Sequence, residues 1–259
     1  MSSSSRAMGQ GYHRLKKGKV AVDESLMDLT RLLDVTTSTA ASAARPNFGN
    51  VHYERAKIPE QPLELYEFEV CPYCRIAREA LSALSLDPIV YPCPKGGRRF
   101  REKVKQEGGR YQFPYLVDPN TAVAMYESAD IVDYLFAEYG DGRAPWFLRQ
   151  RGFAVSTSML ASGFRPFKGR QAVPSREPEK LLELYSYEGS PFCRIAREAL
   201  CELELPHRIR NVPRRSPDRD DFVAVSGKMR VPYLLDPNTG TQMFESDAIR
   251  RYLYTTYAR

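Results

Sequence analysis

The chain has 259 residues, 42% hydrophobic and 27% charged, with 38 Lys and Arg against 32 Asp and Glu for a formal net charge of +6. That is enough apolar material for two cores, while no apolar run approaches the ~20 residues of a membrane span. The Ser-rich opening has no apolar signal core, which argues against secretion. The five cysteines (71, 74, 93, 193 and 201) fit reactive thiols in a reducing compartment, cytoplasm or organelle stroma or matrix, better than a disulfide framework.

Residues 1–22 are basic and carry no acid before Asp23, which reads as a flexible N-terminus or a trimmed targeting tail. From there the sequence repeats itself at an offset of about 120 residues. Leu63-Glu64-Leu65-Tyr66 leads into Cys71-Pro72-Tyr73-Cys74-Arg75-Ile76-Ala77-Arg78-Glu79-Ala80-Leu81, and Leu182-Glu183-Leu184-Tyr185 leads into Ser190-Pro191-Phe192-Cys193-Arg194-Ile195-Ala196-Arg197-Glu198-Ala199-Leu200. Pro114-Tyr115-Leu116 matches Pro232-Tyr233-Leu234, and Glu127-Ser128 matches Glu245-Ser246. A unit of this length is too long for a solenoid repeat and suits two compact domains. The expected layout is a leading helix and connection over 23–62, a domain over 63–140, a second leading helix and connection over 141–181, and a second domain over 182–259.

Each unit reads alike in chain order. A helix rich in small residues comes first (26–44, starting near Asp23-Glu24-Ser25; then 146–164), with Val35, Thr36 and Thr37 weakening the first. A strand follows (63–67; 182–186), then a helix opened by Cys-Pro or Ser-Pro, where proline costs no hydrogen bond. Ile76, Ala77, Ala80, Leu81 and Leu84 make its apolar face. A second strand (87–91; 207–212), a basic irregular stretch, the Pro-Tyr-Leu strand and an Asp-Pro-Asn turn come next. A hairpin partner (123–126; 242–244) and a final helix capped by Ser128 or Ser246 close the unit.

Cys71-Pro72-Tyr73-Cys74 places two thiols at the start of a helix that follows a strand. The unpaired N–H groups and positive dipole end favour a thiolate at Cys71, with Arg75 and Arg78 expected to add positive charge nearby. Cys74, one turn in, is positioned to resolve a disulfide. A zinc site would need two more ligands, and Cys93 and His13, His52 and His207 are scattered, so no metal is assigned. The basic clusters at 98–101 and 208–219 read as solvated faces rather than a nucleic-acid surface, because aromatics do not interleave with them. Cys201 reads as a packed thiol and Cys93, between two prolines, as a loop thiol open to solvent.

The Cys71-Pro72-Tyr73-Cys74 motif resembles the dithiol of glutaredoxins. Phe113-Pro114-Tyr115-Leu116 with Glu127-Ser128 resembles the glutathione-binding N-terminal domain of glutathione transferases. The resemblance covers residues 63–139 and 182–257. It implies an α/β fold of two tandem thioredoxin-like domains, without the all-helical second domain of transferases. It also implies cis-prolines at Pro114 and Pro232, and glutathione held by Tyr73, Phe113, Pro114, Glu127 and Ser128, and by Val231, Pro232, Glu245 and Ser246. Lys95, Arg98 and Arg99, or Arg214 and Arg215, are candidates for its glycyl carboxylate, the alternative being a solvated loop. The expected activity is a glutathione-dependent thiol–disulfide oxidoreductase acting on disulfides or glutathionylated substrates, with Cys71 as nucleophile and Cys74 resolving. The second domain keeps Cys193 but carries Ser190, and reads as redox-degenerate. Two alternatives stand beside this reading: a transferase or lyase using a glutathione thiolate stabilised by Ser190, and a non-enzymatic module binding glutathione or an iron–sulfur cluster. The oligomeric state is not legible.

Overall fold

The computed structural model describes residues 14–45, 48–53 and 55–259, with side chains from residue 29 onward. The first helix, α1, runs Arg14–Ala43 and so begins inside the segment expected to be flexible; residues 1–13 lie outside the described residues. Arg, Leu and Lys near its start are strong helix formers. The β-branched run does not break it. Thr37 and Thr39 donate their hydroxyls to the carbonyls of Leu33 and Val35, each at 2.7 Å.

The first unit then runs β1 (Glu64–Glu67), α2 (Pro72–Ala83), β2 (Ile89–Pro92), α3 (Arg101–Gly108), β3 (Tyr115–Asp118), β4 (Val123–Met125) and α4 (Ser128–Tyr139). The second runs α5 (Trp146–Arg149), α6 (Arg151–Gly163), β5 (Leu182–Ser186), α7 (Pro191–Glu202), β6 (His207–Asn211), α8 (Arg219–Ser226), β7 (Tyr233–Asp236), β8 (Thr241–Phe244) and α9 (Ser246–Tyr257). Both units are thioredoxin-like, and the described residues hold no separate all-helical C-terminal domain. Three expectations need correction. The basic stretches hold the short helices α3 and α8, each stopped by a left-handed glycine, Gly109 at φ 83° and Gly227 at φ 77°. The second small-residue helix is split at Gln150, whose ψ of 85° is not helical. Ser128 and Ser246 are the first helical residues rather than caps. The cap positions belong to Glu127 and Glu245, at φ 66° and 72°, and neither makes a side-chain capping bond.

The strands of the two units join in one sheet of eight, in the order β4-β3-β1-β2-β6-β5-β7-β8. Within each unit the first two strands are parallel and the rest antiparallel. The units join where β2 meets β6 antiparallel, Ile89 opposite Arg208 and Val90 opposite His207. Each half keeps its own apolar core, one around Leu65, Leu81, Leu116 and Phe136, the other around Leu184, Leu200, Leu234 and Leu253. The turn after β3 is built the same way in both: Asp118 accepts from the Asn120 amide and from the hydroxyls of Tyr134 and Tyr139, and Asp236 does so from Asn238, Tyr252 and Tyr257.

The leading helices are exchanged. α1 packs on α7 of the second unit, α6 packs on α2 of the first, and α1 touches α6. Ser38 donates to the Pro191 carbonyl and Ser158 to the Pro72 carbonyl, both at 2.7 Å, so each helix ties down the start of the other unit's motif helix. The connections cross too: Ala172 N donates to Lys95 O at 2.9 Å and Arg214 N to Asn50 O at 2.8 Å.

Arg75 and Arg78 correct a further expectation. They do not face Cys71 but are buried between the units with their repeat partners Arg194 and Arg197. Arg78 donates to Glu188 at 2.9 Å and to Glu67; Arg197 reaches Glu69 at 3.0 Å and Glu188 at 2.8 Å; Arg75 lies 3.8 Å from Glu188. Flanking pairs Arg45–Glu79 and Arg165–Glu198 complete a near two-fold set of buried ions. Glu188, burial notwithstanding, is held down at about 2 by Arg197, Arg78 and Arg75. Isolated charges could not sit there; shared among several partners, they fix how the halves meet. Gly169 needs its φ of 65° against this set, since a Cβ there would stand 2.6 Å from Glu69 Cβ.

Candidate active site

Cys71 sits between β1 and α2 with extended backbone (φ −63°, ψ 122°), so Pro72 can begin the helix without leaving an amide unpaired. The Cys74 N–H points at the Cys71 sulfur at 3.3 Å, and the carbonyl of Phe113 lies 4.0 Å from it. Both thiols are free and buried, Cys71 with 4% of its surface exposed and Cys74 with none. They are nonetheless unlike. Burial pushes Cys71 up, but the Cys74 thiol and the N–H groups of Cys74 and Tyr73 more than offset it, and the net direction is down. Burial pushes Cys74 well up, and the neighbouring Cys71 and Glu67 add to that. The lowering comes from the Cys74 thiol and the N–H groups of the helix terminus, while the arginines assigned to it are spent at the interface.

Cys71 lies in a cleft of about 610 Å³ lined by Phe68, Pro72, Tyr73, Arg101, Tyr111, Gln112, Phe113, Pro114, Glu127 and Ser128. The structure thus gathers Cys71, Tyr73, Phe113, Pro114, Glu127 and Ser128 as the sequence suggested, while Cys74 lies beneath them. The Phe113–Pro114 bond is cis. Glu127 holds its positive φ while Gln112 donates to its carboxylate at 2.5 Å. Phe68, Arg101, Tyr111 and Gln112 were not anticipated. Arg101 donates to the Cys93 carbonyl at 2.8 Å and lies 4.9 Å over the Phe113 ring. Its position just past Arg98-Arg99, at the start of an unrecognised helix, was the available signal. Arg98 and Arg99 instead line a different cleft, with Glu204 and Arg259, and Arg99 is occupied by the carbonyls of Leu203, Glu204 and Ser175. Lys95 and Arg214 serve the crossing connections. Cys93 is buried rather than open, and burial pushes its thiol well up. Cys201 is packed, its thiol 3.3 Å from the Gly169 carbonyl.

The second unit repeats the frame. Ser190 takes the Cys71 place and accepts from Cys193 N at 3.3 Å; Val231–Pro232 is cis; Glu245 and Ser246 open α9. Cys193 is fully buried, which pushes its thiol up. One difference falls at the carboxylate: Glu245 pairs with Arg230 at 2.7 Å, where Glu127 has the neutral Gln112.

The family described as "Glutathione S-transferase, N-terminal domain" matches residues 65–145 and again 184–259, together more than half of the chain. The chain belongs to this glutathione S-transferase N-terminal domain family. It carries the domain twice, and each match contains one cis-proline and one Glu-Ser pair. A 58-residue stretch is 41% identical to the glutathione S-transferase-like protein tpcF of Aspergillus fumigatus, covering 22% of this chain and 26% of that protein. The chain thus spans about a quarter of the length of that curated relative. The trimeric glutathione transferase TDR1 of Leishmania aligns over 77% of this chain and 68% of its own, at 16% identity and a TM-score of 0.29. Among the described residues no helix is long and apolar enough to cross a membrane.

Proposed function

We propose that this protein is a glutathione-dependent thiol–disulfide oxidoreductase of glutaredoxin type, with Cys71 as nucleophile and Cys74 as resolving thiol. The observation that carries it is the split within the dithiol. Cys71, at the helix terminus and at the floor of a cleft, is favoured as a thiolate; Cys74, 3.3 Å away at its amide and wholly buried, is kept as a thiol. A thiolate attacks and a protonated neighbour waits, which is what exchange through a mixed disulfide requires. The family match supports glutathione as the co-substrate. The cleft has the charges for that tripeptide: the Glu127 carboxylate for its ammonium, the N–H groups at Ser128 for the adjacent carboxylate, and Arg101 for the other. Two glutathione thiols would return the Cys71–Cys74 disulfide to the reduced pair, the first forming a mixed disulfide and the second releasing it as glutathione disulfide.

Ser190 as a thiolate-stabilising hydroxyl is the rival, since it accepts from Cys193 N the helix N–H equivalent to the one Cys71 accepts from Cys74. Reduction of hydroxyethyl disulfide with glutathione separates the two. Cys71→Ser should abolish the activity and Ser190→Ala should leave it near wild type. Activity that survives the first change and is lost in the second would assign the chemistry to the second unit.

A further inference from the structure

The helices α1 and α6 lie outside the family matches at 65–145 and 184–259, and their outer side differs from the rest of the surface. They run antiparallel. Arg45, just past the end of α1, donates to the Ala154 carbonyl at 2.8 Å, and Arg165, just past the end of α6, donates to the Asp34 carbonyl at 2.9 Å. Their inner side holds the motif helices through Ser38 and Ser158. Their outer side presents Leu29, Leu32 and Leu33 from α1. From α6 and its end come Phe153, Met159, Leu160 and Phe164, and all seven side chains are between 41% and 62% exposed. In a chain that is 27% charged, residues 32–44 and 152–164 hold a single charged side chain, Asp34, which is buried against Arg165 and Arg250.

We propose that this layer is the contact between two copies of the chain, outer side against outer side about a two-fold axis. An apolar patch of this extent marks an interaction surface. At about half of the ~150–250 Å² of a large apolar side chain, the seven present roughly 700 Å² per copy, near the ~800 Å² per partner of a standard interface. An isologous contact sets the patch against itself and leaves no charge buried without a partner. The other occupants fit less well. Residues 1–13 offer only Met1, Ala7, Met8 and Tyr12 to such a face. A lipid-bound helix pairs its apolar side with cations, and 32–44 and 152–164 contain none. α1 adds a second observation. It runs from Asp34 back to Arg14, about 20 residues and ~30 Å past the level of Arg165. An unaccompanied helix of that length is marginal in water, and a second copy gives it a surface to lie on. Because α6 also ties down the Pro72 carbonyl, the contact braces the start of the helix that follows Cys71.

The test needs no glutathione: sedimentation velocity of the full chain from about 1 to 100 µM. Wild type should approach twice the 29.5 kDa of the chain as its concentration rises. Leu33→Glu and Leu160→Glu change side chains that are exposed in the single chain, so both should keep the wild-type circular dichroism. Each should weaken the pair on the order of 10²-fold, because the contact would bury an unpaired carboxylate. Val225→Glu, similarly exposed but on α8, whose Phe222 packs in a separate cluster, should leave the pair unchanged. In wild type, dilution should raise amide exchange in 29–43 and 152–164 but not in α8, a readout that depends on no variant folding. A wild type that stays at 29.5 kDa would overturn the proposal. So would dimers of undiminished affinity in both the Leu33 and Leu160 variants, or exchange in the two helices that dilution leaves unchanged. A monomer that co-sediments with phosphatidylcholine–phosphatidylserine vesicles would overturn it as well, giving the face to lipid.

Discussion

Replacing Arg197 by Met should cost the protein far more than its distance from the cleft suggests. The side chain is 2% exposed and bonds Glu69 through two nitrogens at 3.0 and 3.1 Å, while lying 2.8 Å from Glu188. Removing one partner of a buried ion pair costs about 3–5 kcal/mol, because the remaining charge stays desolvated. Arg78 still holds Glu188 at 2.9 Å and stands 3.5 Å from Glu69, which places the loss near the lower end, about 3 kcal/mol. At roughly 2–4 °C per kcal/mol for a chain of this size, the midpoint of thermal unfolding should drop by about 10 °C. Calorimetry at neutral pH reads this directly. Arg151→Ala is the control, since its pair with Asp130 is exposed on both sides and should be worth less than ~1 kcal/mol. An Arg197→Met midpoint within about 3 °C of wild type would refute the view that buried ions fix the interface.

Other outcomes follow from single groups. His207 is buried at the strand junction, donates Nδ1–H to the Leu205 carbonyl at 2.9 Å, and is pushed down to about 4 by burial. Its folded value lies below the ordinary 6.5, so its contribution is complete above pH 6.5 and is lost as the pH falls toward 4, about 3 kcal/mol in all. Glu188, depressed to about 2, adds a second loss below the ordinary carboxyl value of ~4.3. Because Glu67, raised to about 7 by burial, contributes the opposite slope over the same range, the His207 step is read as the difference between wild-type and His207→Gln urea midpoints from pH 8 to 3; a difference that stays constant between pH 6.5 and 4 would contradict this. Gly169→Ala should destabilise by at least ~2 kcal/mol in the same urea assay, from its left-handed backbone and the clash with Glu69, and wild-type stability would show that the connection relaxes freely.

Much of the fold was legible because the repeat states it twice. The strand–helix–strand order, the proline-opened helices and the Pro-Tyr-Leu strands each follow from local chemistry that appears at both copies. The Cys71 cleft was legible for the same reason, through Phe113-Pro114 and Glu127-Ser128. The union of the halves was not. Arg75 and Arg78 fall beside a cysteine in sequence, and helix position alone does not say which face another domain covers. The signal was present in the second copy: Arg194 and Arg197 persist where the leading cysteine is gone, so their role could not be thiolate activation. Exchange of α1 and α6 between units leaves no local mark, because small residues suit any close helix contact. Arg101 was obscured by neighbours of like charge, and only the start of α3 turns it toward the cleft.

The most direct test measures the alkylation rate of Cys71 by iodoacetamide across pH 5 to 10, with the modified residue located by peptide mass spectrometry. Activation by the helix terminus predicts a half-maximal rate at a pH clearly below the ~8.5 of a free cysteine, with Cys74 unmodified in the folded protein. A Cys71 profile centred at or above ~8.5 would contradict it.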